Sequence, residues 1–71
     1  MTQCERILDY LNEFQSITQL DALRDLGIMR LASRVADLRA DGYPICSRTV
    51  AVKNRYGETS HVAEYYMEKT S

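Results

Sequence analysis

The stretch Leu20–Ile45, LDALRDLGIMRLASRVADLRADGYPI, decides how the rest of the chain is arranged. Leu31, Val35 and Leu38 recur at i, i+4 and i+7. At about 100° per residue they fall on one narrow helical stripe. Gly42 and Pro44 end that helix, because glycine closes a C-terminus in the left-handed conformation and proline cannot continue it. A helix is therefore expected over about residues 30–41. Upstream, Leu20, Ala22, Leu23 and Leu26 form a shorter apolar stripe that stops at Gly27, so a helix is expected over about residues 19–26. Thr18 offers it an N-cap, with Asp21 three residues on. Aspartate reaches back less well than glutamate, but its charge suits a helix N-terminus. Ile28 follows as an apolar turn residue able to drop into the core. Two short helices hinged at a glycine read as a helix-turn-helix.

Working outward toward the N-terminus, Thr2 and Glu5 carry the capping-box pattern. Cys4, Ile7, Leu8, Leu11 and Phe14 then repeat at helical spacing, predicting a first helix over about residues 3–14. Its polar face (Glu5, Arg6, Asp9, Asn12, Glu13) is acidic on balance, which argues against contact with a polyanion. Gln15-Ser16-Ile17 is long enough only for a one- or two-residue strand, which in a winged-helix layout would pair with the wing. Toward the C-terminus, Ile45–Lys53 (ICSRTVAVK) is rich in β-branched residues, Asn54-Arg55-Tyr56-Gly57 is a turn signal, and Thr59–Met67 reads as a returning strand. These predict a hairpin over about residues 45–67 with a basic tip. The tail Glu68–Ser71 is expected to fray. The expected fold class is α+β: one winged helix-turn-helix domain over residues 1–71, with three helices followed by a two-stranded β-hairpin wing.

A chain of 71 residues buries only about 60% of its unfolded surface, so its stability margin is thin. The formal net charge is −1, but it is unevenly distributed. Residues 1–29 carry two basic and five acidic side chains, giving −3. Residues 30–57 carry six basic (Arg30, Arg34, Arg39, Arg48, Lys53, Arg55) and two acidic (Asp37, Asp41), giving +4. Residues 58–71 carry one basic and three acidic, giving −2. Positive charge gathered on the third helix and the hairpin of an otherwise acidic body is the footprint expected of a groove-facing surface; the competing account is an ordinary solvated face.

The run Leu26–Ile45, L-G-I-x-R-L-A-S-R-V-x-D-L-R-x-D-G-Y-P-I, is followed by V-K-N-R-Y-G at Val52–Gly57. Together they resemble a small helix-turn-helix family of phages and prophages, over nearly the whole chain. The resemblance implies a winged-helix fold and double-stranded DNA binding, in a phage or prophage transcriptional regulator. The wider winged-helix class also includes modules that bind protein. The alternative is therefore an interaction module, a phage adaptor or inhibitor of a host protein, whose working surface is the acidic first helix and C-terminus.

The residues suited to DNA contact are Arg30, Ser33, Arg34 and Asp37 on the third helix and Arg48, Lys53, Asn54 and Arg55 on the wing. Arg30 and Arg34 share one helical flank, and Ser33 faces away from the core. The start of a recognition helix enters the major groove, where arginine pairs two donors with guanine O6 and N7. The competing account is pairing within the helix, Arg34 with Asp37, worth only about a few tenths of a kcal/mol. Asp37 either orients Arg34 or accepts from cytosine. Arg39 lies across the stripe and is expected to pair structurally with an acidic residue of the first helix. Basic wing tips rest on phosphates or reach into the minor groove; the competing account is a hairpin with gatekeeping charges on its edge strand.

Cys4 and Cys46 lie far apart, without a C-x-x-C pair, and His61 is the single histidine, so metal-ligand spacing is absent. Neither a Ser-His-Asp order nor a Gly-rich phosphate loop occurs, and the chain is expected to be non-enzymatic, with no cofactor, metal or small-molecule substrate. No apolar run approaches the roughly 20 residues of a membrane span, and the N-terminus lacks a secretory layout. A cytoplasmic location in a bacterial host, with double-stranded DNA and a second copy of the chain as candidate partners, is the corresponding expectation.

Overall fold

The structure, a computed structural model, describes residues 2–68. Helix α1 (Gln3–Phe14) starts at a complete capping box: the Glu5 N–H donates to Thr2 Oγ1 at 3.2 Å and the Thr2 N–H donates to Glu5 Oε1 at 3.5 Å. Ile7 and Leu11 are buried, with Cys4 and Leu8 packed beside them. Phe14 departs from the expected stripe. It ends the helix beyond the core, 57% exposed, with its ring 4.5 Å from that of Tyr10. Gln15, left-handed at φ 75°, closes α1 and turns the chain into strand β1 (Ser16–Thr18).

Thr18 and Asp21 form a second full capping box. The Asp21 N–H donates to Thr18 Oγ1 at 3.2 Å and the Thr18 N–H donates to Asp21 Oδ2 at 3.1 Å. Aspartate thus reaches back as well as glutamate does in the first box. Helix α2 (Gln19–Asp21) widens at once into π-helical turns over Ala22–Leu26, closed by Gly27 at φ 70°. The expected four-residue stripe splits here. Ala22 is buried and Leu26 packs on the core, whereas Leu20 (65%) and Leu23 (50%) face solvent. Ala22 and Leu26 are four apart and share one face; Leu20 and Leu23 fall on its neighbour, and a core this small accepts only one.

Helix α3 (Leu31–Ala40) buries Leu31, Val35 and Leu38, the expected stripe. Gly42, at φ 99°, ends the turn after it. Strands β2 (Ile45–Lys53) and β3 (Thr59–Met67) pair antiparallel in the register Ile45↔Met67 to Lys53↔Thr59. β1 pairs with β3, Ile17 opposite Tyr65, giving one antiparallel sheet in the order β1-β3-β2. The sheet therefore has three strands, because Ser16–Thr18 supplies three residues able to pair alongside the wing. Ile17 and Ile45 carry the sheet side of a core completed by Ile7, Leu11, Ala22, Ile28, Leu31, Val35 and Leu38. Of the tail, Glu68 is tied down by its N–H donating to the Pro44 carbonyl at 2.8 Å. The expectation for residues 69–71 lies outside the described residues.

Candidate nucleic-acid interface

Helix α3 begins without a side-chain cap of its own. Arg30 occupies the N-cap position at φ −128°, ψ 70°, and its side chain makes no capping hydrogen bond. The first free N–H, that of Leu31, donates instead to Gln19 Oε1 at 2.8 Å, while Gln19 Nε2 donates to the Ile28 carbonyl at 2.9 Å. One amide from the start of α2 thereby fixes both the turn and the entry of α3. Sequence reasoning missed Gln19. Its partners lie nine and twelve positions downstream, and no local pattern announces them.

With its cap supplied from elsewhere, the Arg30 side chain is free. It is exposed and has no ion-pair partner within 4.0 Å among the described residues. Arg30, Ser33 and Arg34 line one open groove, together with Gln3, Gly27 and Met29. Arg34 Nη2 lies 3.3 Å from Asp37 Oδ2, with both side chains well exposed. Such a pair contributes at most about 1 kcal/mol and holds Arg34 along the helix flank. Arg39 is structural by a different route from the expected one. Its Nε donates to the Ile45 carbonyl at 2.8 Å, tying the end of α3 to the start of β2, because the turn at Gly42 and Pro44 brings that carbonyl closer than any helix-1 carboxylate.

The four wing residues separate into two groups. Arg48 sits on the stem opposite Glu64, with Nη2 and Nε at 2.6 and 2.7 Å from Glu64 Oε1, and its guanidinium carbon lies 4.9 Å from the centroid of the Tyr66 ring. Carboxylate and ring together occupy that cation. Lys53, Asn54 and Arg55 stand at the tip. Asn54 is the turn-former: its Oδ1 accepts from the N–H groups of Tyr56 at 2.9 Å and Glu58 at 3.1 Å. Lys53 and Arg55 are exposed, without an ion-pair partner among the described residues. Lys53 also borders Thr18, Gln19 and Leu20, where the wing meets the start of α2.

A separate charged cluster joins α1 to the π-helical turns. The Tyr10 hydroxyl donates to Asp25 Oδ2 at 2.8 Å, and Arg24 bridges Asp25 at 3.0 Å and Asp21 at 3.1 Å. The hydrogen bond from Arg24, then that from Tyr10, holds the Asp25 carboxyl below the usual carboxylate range. Burial first, then the bond to Asp25, raises the Tyr10 phenol. Arg24 is consumed locally; among the described residues Arg6 on α1, Arg30 on α3, and Lys53 and Arg55 at the wing tip are exposed without an ion-pair partner. Cys4 and Cys46 are free thiols, both half-buried. Among the described residues no group of His, Cys, Asp and Glu side chains could hold a metal ion, and no helix is long and apolar enough to cross a membrane.

A third helix whose start is exposed and basic, packed on a three-stranded sheet that ends in a basic tip, defines a winged helix-turn-helix. The chain belongs to the winged helix-turn-helix domain family, which it matches over residues 2–70. No curated protein and no solved structure matches it.

Proposed function

We propose that the protein is a sequence-dependent double-stranded DNA-binding protein and a transcriptional regulator of the phage or prophage type its sequence resembles. In this reading the start of α3 enters the major groove and the tip of the wing rests on the flanking backbone. The observation that carries it is the convergence of Arg30, Ser33 and Arg34 on one open groove, with Arg30 free of any ion-pair partner among the described residues. Arg30 and Arg34 act as base or phosphate contacts, Ser33 as a small donor, and Asp37 as the group that orients Arg34. Lys53 and Arg55 neutralise phosphates, and Asn54 shapes the tip that presents them. Arg48 serves the stem.

So few cations neutralise few phosphates, so one copy binds weakly. A homodimer on a two-fold site supplies the rest. The test is retention of a random double-stranded oligonucleotide pool by the wild-type protein and by the Arg30→Ala/Arg34→Ala variant, at low and physiological salt. A recovered motif, lost in the variant, supports the reading. Equal retention by both proteins, or none by either, sinks it.

A second reading, a protein-interaction module, is favoured by the exposed apolar side chains of Phe14, Leu20 and Leu23 beside the acidic residues of α1 and α2. None of the three lines the groove of Arg30, Ser33 and Arg34. Loss of partner capture in a Leu20→Ser/Leu23→Ser variant, with the arginines intact, separates it from DNA binding.

A further inference from the structure

We infer that Met29 is a specificity-determining residue that packs against the 5-methyl group of a thymine beside the base read by Arg30 or Arg34. This rests on the DNA-binding reading above. Met29 is 78% exposed, the most exposed large apolar side chain among the described residues. Its neighbour Ile28 is buried at 1%, so the turn sends one apolar side chain into the core and the next outward. Outward here is not open surface. Met29 lines the same groove as Arg30, Ser33 and Arg34, whose remaining walls are Gln3 and Gly27. Among the described residues it is the one apolar side chain in that groove. Every other side chain there donates or accepts hydrogen bonds, and Gly27 has none.

The composition matches what a B-DNA major groove presents. Guanine offers two acceptors that suit a guanidinium, and the apolar group on the base edges is the thymine methyl. A thioether on an unbranched stem is polarizable and adapts to an irregular apolar neighbour. In the free protein Met29 is left mostly in water; on DNA the methyl removes both groups from it. Arg30 and Met29 are consecutive at the helix entry, so the inferred thymine lies within a step of the guanine contact.

The experiment uses the tightest duplex recovered by the wild-type protein from a random pool, with each thymine replaced singly by deoxyuridine, which lacks only the methyl. At one position the replacement should weaken wild-type binding about four-fold, the effect of burying one methyl group. Met29→Gln, of similar length but polar, should bind the thymine and deoxyuridine duplexes equally, and Met29→Leu should keep the preference. Matching circular dichroism spectra and melting temperatures establish that the variants fold. Indifference of the wild-type protein to every replacement overturns the inference while DNA binding stands, and so does a preference that persists undiminished in Met29→Gln. Failure of the wild-type protein to retain any duplex overturns the DNA-binding reading and the inference with it.

Discussion

Gln19 caps Leu31 across the turn, with Oε1 accepting the Leu31 N–H at 2.8 Å and Nε2 donating to the Ile28 carbonyl at 2.9 Å. The first helix of the motif thus supplies the N-cap that the second lacks. Losing a helix cap costs about 1 kcal/mol, and the Ile28 carbonyl is orphaned at the same time. Gln19→Ala should therefore destabilise the fold by about 1–2 kcal/mol in urea unfolding. Hydrogen exchange adds a local check: the Leu31 amide should lose protection beyond what the global loss explains. Unchanged Leu31 protection in Gln19→Ala would show that the cap contributes nothing.

Gly27 closes the π-helical turns that follow α2 at φ 70°, and a Cβ built there meets nothing within 4 Å. Substitution is therefore strained by conformation and not by collision. The left-handed region costs an L-residue about 1–2 kcal/mol, so Gly27→Ala should lower stability by that amount with an unchanged urea m-value. Gly27→Asn should cost less, because asparagine tolerates this region. Equal costs for the two variants would point to a contact in place of a backbone preference.

The cluster of Tyr10, Asp25 and Arg24 makes stability pH-dependent in two directions. Asp25 is held below the usual carboxylate range. Its contribution is full above the unfolded value of about 4 and is lost as pH falls through the lower folded value. Tyr10 is raised, so its contribution is full below about pH 10 and is lost as pH rises through the higher folded value. Tyr10→Phe removes the shared hydrogen bond. The difference in melting temperature between wild type and Tyr10→Phe should be constant in the middle of the range and shrink at both ends. A difference that does not change with pH would mean that the hydroxyl acts independently of the charge on Asp25.

What the sequence revealed about this fold follows how local each cause is. The capping boxes at Thr2 and Thr18, the stops at Gly27 and Gly42, and the Leu31-Val35-Leu38 stripe all rest on residues within a few positions of one another. Gln19 acts across twelve positions, and Arg48 meets Glu64 across sixteen. Such partners depend on the turn geometry and hairpin register that the whole fold determines. Phe14, Leu20 and Leu23 misled for another reason. Periodicity marks which residues can be buried, whereas the width of a small core decides which of them are. Arg39 shows the same limit at short range: a basic residue near a helix end found a carbonyl where a carboxylate was expected.

The wing offers the sharpest test of a role that charge alone cannot assign. Arg48 and Arg55 carry the same charge, but Arg48 is bound to Glu64 and covers Tyr66, while Arg55 stands exposed at the tip. If the tip lies on phosphates, each cation there releases about one counterion on binding. Arg55→Ala should then reduce the slope of log affinity against log salt by about one, uniformly across DNA sequences. Arg48→Ala should leave that slope unchanged. It removes the partner of Glu64, whose side chain is only 19% exposed, so its effect belongs in unfolding measurements. The double variant Arg48→Ala/Glu64→Ala should recover part of the lost stability, because no carboxylate is then left half-buried and unpaired. A salt slope that falls equally in Arg48→Ala and Arg55→Ala would place the stem, and not only the tip, against the DNA.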